Sequence, residues 1–285
     1  MKNILVPTDF SDCATAAIRT AADIARTTDA EIRLLHVYER PIYGFVDMSV
    51  DHEQNRKIKA DLWEKLHEAE KHPSLEGLEV NSSLMWDKPA WEAIAHDEFK
   101  DHDLVVMGTH GASGFKEMFI GSNAEKAVRL SKIPVLTISK HEKAFNPKKI
   151  VFASNFYREV ESVFGTIKKM ANQFNAEVHF LKINTPGNFE ATWYSERTMK
   201  EFAEKMNFQN YVPNIYNDEN VEKGILNFCN SAEPDMVAIA THGRTGLLHL
   251  INGSIAESVV NHFDLPVLSI RLEEVESPTG VIFPY

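Results

Sequence analysis

The 285-residue sequence is poor in cysteine and has no long apolar run. Its two cysteines, Cys13 and Cys229, lie far apart and form no CxxC pair, which argues against a disulfide framework or a zinc cluster. No stretch approaches the roughly 20 apolar residues of a membrane span. The opening residues MKNILVPTDF form too short an apolar run for a secretory signal. We therefore expect a cytoplasmic protein that does not insert in a membrane.

Positive charge is also scarce, because 30 Lys and Arg residues stand against 41 Asp and Glu residues, for a formal net charge of -11. Without a large cationic field, nucleic acids and anionic membrane surfaces are poor candidates for partners. Apolar residues are plentiful, at 44% of the chain. A chain of this length and composition can form two domains, each with its own core.

The sequence contains two copies of one unit, because four pairs of segments recur in the same order. The pairs are NILVPTDFS (3–11) with KIVFASNFY (149–157), DAEIRLLHV (29–37) with NAEVHFLKI (175–183), DLVVMGTHG (103–111) with DMVAIATHG (235–243), and IPVLTIS (133–139) with LPVLSIR (265–271). The offset falls from 146 to 132, so the second copy lacks 14 residues between its second and fourth strands. We predict a first domain at 1–143, a second at 147–273 and a C-terminal tail at 274–285.

Each copy alternates short apolar runs with helical patterns. The runs at 4–6, 32–37, 104–107 and 135–138 are typical of parallel strands that are covered on both faces. Apolar residues between them follow helical spacing. This β-α-β-α-β-α-β-α-β order predicts an α/β fold with an open, doubly wound parallel sheet. Ligands of such sheets bind beyond the carboxyl ends of the strands, at the switch point in strand order.

A glycine-spaced loop follows the fourth strand of the first copy, with the pattern Gly108-x2-Gly111-x9-Gly121-Ser122. Glycine lets backbone N–H groups approach a ligand closely, and a helix N-terminus that carries the Ser122 hydroxyl suits phosphate oxygens. The chain has no GK[ST] sequence, which excludes a Walker A loop, and the glycines do not follow the first strand as in the dinucleotide motif. The loop therefore predicts a different kind of phosphate site, facing Asp9 after the first strand.

Together these motifs resemble the universal stress protein family, present here in tandem. The shared features are the opening ILVPTDFS, the HV that ends the second strand, DLVVMGTHG, the glycine-serine spacing and the closing PVL. The resemblance covers nearly the whole chain. It implies two Rossmann-like domains of the adenine nucleotide alpha hydrolase type, each with a five-stranded parallel sheet, which pair through their last strands as an intrachain pseudo-dimer. It also implies ATP binding, accompanied by Mg²⁺ or Mn²⁺, in a nucleotide-dependent regulator of the stress response.

The resemblance also locates a nucleotide site in the first copy. Carried onto this sequence, the phosphate loop of the family falls on Gly108, Gly111, Gly121 and Ser122, and its adenosine contacts fall on Asp9 and Val37. We expect Pro7 and Thr8 to line the same pocket and Asn123 to add a donor to the phosphates. The chemistry agrees, because the acceptor-only carboxylate of Asp9 can take hydrogen bonds from adenosine and the backbone at Val37 can face the base edge. No residue is assigned a catalytic or metal-binding role.

The second copy departs from this pattern where Asn155 replaces Asp9 and Ala240 replaces Gly108. If the glycine position needs a positive φ or a close phosphate, the added methyl costs on the order of 1 kcal/mol or blocks contact. An arginine is nevertheless available there as a phosphate partner. Two readings stay open for this domain, a purely structural role or a weaker anion site formed by Asn155, Gly243, Arg244, Gly253 and Ser254.

Two other functions stay open for the whole chain. Slow ATP hydrolysis or self-phosphorylation would use hydroxyls near the phosphates, although no P-loop lysine, kinase catalytic loop or general base can be identified. A nucleotide-independent scaffold, or a carrier of a lipid or other small molecule, is the second alternative. The apolar loop 38–50 is either a pocket lid or a patch against the other copy. Full chains could also associate further as homodimers.

Overall fold

The structure is a computed structural model that describes residues 1–39, 52–109, 122–139, 143–157, 160–241 and 264–272. In the first copy, strands β1 to β5 are Asn3–Pro7, Glu31–Tyr38, Val80–Trp86, Leu104–Gly108 and Val135–Ile138. Helices α1 to α4 are Asp12–Thr28, His52–Glu70, Ala90–Ile94 and Ser122–Leu130. In the second copy, strands β6 to β10 are Lys149–Ala153, Glu177–Asn184, Tyr211–Asn217, Met236–Thr241 and Val267–Arg271. Helices α5 to α7 are Glu161–Phe174, Thr192–Lys205 and Val221–Ala232.

The strands form one ten-stranded sheet in the order β3-β2-β1-β4-β5-β10-β9-β6-β7-β8. Strands within each copy run parallel, and among the strands in the described residues only the β5–β10 pair is antiparallel. The predicted α/β fold, with two tandem five-stranded parallel units joined through their last strands, is confirmed. Leu136 faces Leu268 across that seam, and the Thr137 hydroxyl donates to the Val267 carbonyl at 3.2 Å.

The strands are apolar on both faces because helices cover the sheet on both sides. Successive side chains of a strand point to opposite faces, so Ile4 and Val6 belong to one buried cluster and Leu5 to another. Both clusters contain residues of both copies. The continuous apolar runs of the sequence are thus a direct consequence of the doubly covered sheet.

The segment between the two copies also ties them together. The backbone N–H of Phe145 donates to Asp23 on α1 at 2.7 Å, and the Phe145 ring meets Phe174 of α5 at 5.5 Å between centroids. Phe145 is buried. The two units are therefore linked by this side chain as well as by the β5–β10 seam.

The length difference between the copies falls between their second and third strands. The connecting segment runs from 39 to 79 in the first copy but only from 185 to 210 in the second, and α6 is shorter than α2. Most of loop 38–50, expected to be either a pocket lid or a patch against the other copy, lies outside the described residues. So do most of the segment between β9 and β10 and the tail at 274–285. No helix in the described part of the chain is both long and apolar enough to cross a membrane.

Candidate functional site

The carboxyl ends of β1, β2 and β4 meet at one edge of the first copy. Strand β1 lies between β2 and β4, so the chain leaves β1 towards β2 on one side and later crosses to β4 on the other. This reversal is the switch point of the sheet, where ligands of such folds bind. The structure brings Pro7, Val37 and Gly108 to this edge as members of the three strands.

A tight turn after β1 determines how Thr8 and Asp9 are presented. The Thr8 N–H donates to the Leu35 carbonyl at 2.8 Å, and the Thr8 hydroxyl accepts from the Phe10 N–H at 3.1 Å. Phe10 adopts a left-handed backbone conformation with φ of 64°. Asp9 accepts a hydrogen bond from the Ser11 N–H at 3.1 Å and is exposed. The turn thus buries Thr8 and holds the Asp9 carboxylate at the solvent side of the edge.

Gly108 is required for close packing of helix α1 against the end of β4. A Cβ atom at this position would lie 2.8 Å from the Cβ and 2.9 Å from the carbonyl carbon of Cys13 in the first turn of α1. The φ of Gly108 is not positive, so backbone conformation does not explain the glycine. The glycine brings the N-terminus of α1, which the Ser11 hydroxyl caps by accepting from the Ala14 N–H at 3.2 Å, to this edge.

His36 supports the turn from strand β2, a role that the sequence reasoning did not assign to it. Its Nδ1 lies 2.8 Å from the Thr8 carbonyl oxygen, and its ring lies 4.6 Å from the Phe10 ring. Burial lowers the pKa of His36, against the opposing effects of the Thr8 hydrogen bond and the Asp9 charge. The neutral ring therefore donates its Nδ1–H to Thr8. The signal in the sequence was the HV pair at the end of the second apolar run.

The remaining predicted residues belong to the loop after β4 and the start of α4. Ser122 is the first residue of α4, and Asn123 follows it, half-buried. Gly111 and Gly121 lie outside the described residues. The described residues contain no group of three or more His, Cys, Asp or Glu side chains that could hold a metal ion.

The second copy repeats the turn but not its carboxylate. Phe156 has φ of 61°, and its N–H donates to the Ser154 hydroxyl at 3.0 Å, as Phe10 does to Thr8. Asn155 takes the place of Asp9 and is half-buried. Helix α5 begins at Glu161, which aligns with the fourth residue of α1. Ala240, at the position of Gly108, is buried. Gly243, Arg244, Gly253 and Ser254 lie outside the described residues.

A buried ion pair in the second copy takes the place that His36 has in the first. Lys182, which aligns with His36, is 1% exposed and pairs with Glu190, which is 15% exposed. The carboxylate of Glu190 also accepts from the Tyr157 hydroxyl at 2.5 Å and the Ser195 hydroxyl at 3.3 Å. The sequence reasoning missed this network, although a single lysine inside the apolar strand EVHFLKIN was a visible signal.

The hydrogen bonds of this network lower the pKa of Glu190 and raise the pKa of Tyr157. Burial alone would raise the pKa of Glu190, but the hydrogen bonds from Lys182 and Tyr157 and the charge of Lys182 lower it. The hydrogen bond to Glu190, together with burial, raises the pKa of Tyr157 to about 12. At neutral pH the network therefore contains a carboxylate and a neutral phenol.

Comparisons with known proteins agree with the repeat. A model of the universal stress protein family matches residues 1–139 and 147–271. A universal stress protein of Methanocaldococcus jannaschii is 31% identical over 143 residues, which cover 50% of this chain and 84% of that protein. A universal stress protein of Synechocystis is 22% identical over 291 residues, which cover 95% of this chain and 100% of that protein. The crystal structure of a universal stress protein from Archaeoglobus fulgidus aligns with 94% of this chain over 98% of its own chain, at a TM-score of 0.74 and 21% sequence identity. This similarity is evidence for the fold.

Proposed function

Because the chain belongs to the universal stress protein family in two tandem copies, we propose that its first domain binds ATP and acts as a nucleotide-dependent regulator of the stress response. The site comprises Pro7, Thr8, Asp9, Val37, Gly108, Gly111, Gly121, Ser122 and Asn123. The adenosine lies against the ends of β1 and β2, and the phosphates lie at the N-terminus of α4 together with a Mg²⁺ or Mn²⁺ ion. Nucleotide acts by favouring the conformation or partner complex that binds it more tightly.

The observation that carries this proposal is the Asp9 turn at the switch point of the sheet. Its carboxylate is exposed at the edge where three strands end, on a backbone fixed by Thr8 and braced by His36. A carboxylate accepts hydrogen bonds only, which fits the hydroxyl groups of a ribose. The residues present therefore fit the adenosine half of the nucleotide, and the helix N-terminus at Ser122 fits its phosphates.

We propose that the second domain does not bind nucleotide in the same way. It has a neutral amide at Asn155 where the first domain has Asp9. Beside that turn, Lys182 and Glu190 already satisfy each other's charge. One ATP molecule for each chain is the expected stoichiometry.

The test is calorimetric titration of the full chain with ATP and Mg²⁺, combined with chromatography of the nucleotide that heating releases from purified protein. Asp9→Asn gives the first domain the residue of the second, and we expect it to weaken ATP binding by about tenfold to 100-fold, from the loss of one or two hydrogen bonds to a charged group. Asn155→Asp is the matched control and leaves the affinity unchanged. Absence of both released nucleotide and ATP binding would falsify the proposal.

A separate measurement distinguishes binding from turnover. Incubation with ATP labelled at the γ-phosphate would show free phosphate for an ATPase and labelled protein for self-phosphorylation. We expect neither at the rate of a dedicated enzyme, because the site has no assigned general base.

A further inference from the structure

The second domain has a pocket that the nucleotide site does not explain. It lies beyond the carboxyl ends of β7 and β8, at the outer side of the sheet, away from the switch point between β6 and β9. Its volume is about 580 Å³, and its lining residues are Asn184, Thr185, Pro186, Phe189, Asn217, Asp218 and Glu219. This volume is within the range of small-molecule sites, roughly 300–1,000 Å³.

The two domains differ in the pair of side chains that end these strands. In the first domain Tyr38 and Trp86 are paired in register, and their rings meet edge to face with centroids 4.8 Å apart. In the second domain the paired residues are Asn184 and Asn217. Two large rings are thus replaced by two small amides at the place where the pocket lies.

Phe189 gives the pocket an exposed ring, and helix α7 packs closely behind Asp218 at the rim. Phe189 is 72% exposed, the most exposed large apolar side chain in the described part of the protein. A Cβ on Gly224 of α7 would lie 2.6 Å from Ile183 and 3.2 Å from the Cβ of Asp218. This glycine lets the helix approach the strand ends and fixes the position of Asp218. The pocket thus combines an exposed aromatic face with a held carboxylate.

The charge of the pocket favours a cation. Asp218 accepts from the Asn227 amide at 2.8 Å and the Glu219 N–H at 2.7 Å, both of which are neutral donors. These hydrogen bonds lower the pKa of Asp218, so it stays ionised at neutral pH. Glu219 is partly neutralised by Lys223 at 2.5 Å, and none of the described lining residues is basic. The charge of Lys223 also acts on Asp218, so two carboxylates at this rim stand against one lysine and the rim keeps a net negative charge.

We propose that this pocket binds a small organic ammonium ion with an apolar body, with Asp218 accepting from the ammonium group and Phe189 contacting the apolar body. An aromatic face next to a carboxylate favours a cation by both charge and ring quadrupole. The site is separate from the proposed nucleotide site, because its residues all belong to the second domain. It gives the chain a second ligand class on a different surface.

The test uses three probes of similar shape, namely 2-phenylethylammonium, neutral 2-phenylethanol and anionic 3-phenylpropanoate, titrated into the full chain by calorimetry or ligand-observed NMR. We expect the ammonium to bind at least tenfold more tightly than the alcohol, and the carboxylate to bind most weakly. Phe189→Ala should weaken the ammonium at least fivefold, and Asn217→Trp, which adds the ring of the first domain at an exposed position, should abolish binding. The control Trp193→Ala removes another exposed ring that does not line the pocket and should leave binding unchanged.

Any of three results would overturn the proposal. The first is that no probe binds at concentrations up to about 10 mM, which corresponds to less than about 3 kcal/mol of binding free energy. The second is that the three probes bind equally well, and the third is that Phe189→Ala binds the ammonium as the unmodified chain does. Circular dichroism of each variant checks that the fold is retained, so loss of binding is not attributed to unfolding.

Discussion

Replacing Glu190 with glutamine should destabilise the second domain strongly, although the two side chains have nearly the same shape. The substitution leaves the ammonium of Lys182, which is only 1% exposed, without its carboxylate. The Tyr157 ring also lies beside the ammonium, with its centroid 5.4 Å from the Lys182 nitrogen, but a ring cannot replace a full negative charge. The expected effect is therefore that of an uncompensated buried cation.

The magnitude follows from the burial of the two partners. Removing one partner of a buried ion pair costs about 3–5 kcal/mol, since the other charge is left desolvated. Lys182→Met should cost less, at about 3 kcal/mol, because Glu190 is more exposed and keeps its hydrogen bonds from Tyr157 and Ser195. The double variant Lys182→Met with Glu190→Gln removes both charges, and we expect it to be within about 1 kcal/mol of the unmodified chain.

Hydrogen exchange followed by mass spectrometry measures the local loss of stability, on peptides that cover β7. A cost of 3–5 kcal/mol lowers the protection of these amides by about two to four powers of ten, whereas β2 in the first domain should change little. The pH dependence has a definite sign. Because the pKa of Glu190 is lowered in the folded state, its contribution is present above the unfolded value of about 4.3 and is lost as the pH falls through the folded pKa. The difference between Glu190→Gln and the unmodified chain should therefore shrink in acid.

The reasoning is wrong if Glu190→Gln lowers the free energy of unfolding by less than about 1 kcal/mol, because a buried charge without its partner destabilises a protein by more than that. It is also wrong if the double variant costs as much as the two single variants together. That result would mean that the side chains stabilise the domain by packing, independently of their charges.

Three further predictions concern residues in both copies. Asp103 and Asp235 each accept hydrogen bonds from two backbone N–H groups, at the start of β1 and of β6. Asp103→Ala and Asp235→Ala should therefore each lower the free energy of urea unfolding by about 1 kcal/mol, and a loss of only a tenth of that would contradict a stabilising role of these hydrogen bonds. Gly108→Ala should cost about 2 kcal/mol or more in thermal unfolding because its methyl meets the backbone of Cys13, while an unchanged Tm would show that α1 moves freely. Burial raises the pKa of Cys229 to about 12, so native protein should not react with a thiol reagent at Cys229 near neutral pH, whereas unfolded protein should.

The fold was predictable because its signals are periodic and repeated. Apolar runs such as the one that includes Ile4 and Leu5 reflect strands buried on both faces, and the second copy shows the same runs in the same order. The pairing through the last strands came from the family resemblance, and the antiparallel contact of β5 with β10 confirms it. The position of the length difference was predicted only coarsely, because helices α2 and α6 share too little sequence to align.

The site was less predictable than the fold, because contacts between distant residues determine it. The reason for Gly108 is an example. A positive φ was one sequence-based explanation, and the structure shows instead a helix that approaches within 3 Å of where a Cβ would lie. The bracing of the Thr8 turn by His36 depends on a contact across two strands, which spacing along the chain does not show. The nucleotide-site assignment as a whole stays a prediction.

The two copies have diverged at matched positions, and these differences have a common physical logic. Where the first domain presents the exposed carboxylate of Asp9 beside a neutral His36, the second has the amide of Asn155 beside the paired charges of Lys182 and Glu190. A domain whose charges satisfy each other gains little from an additional charged ligand at the same place, since any new hydrogen bond must replace an existing one. The ends of the two outer strands differ in another way. The first domain has two aromatic rings there, whereas the second has two amides beside a pocket. The two sites that we propose thus differ in chemistry and in place, one at the switch point of the first domain and one at the outer strands of the second.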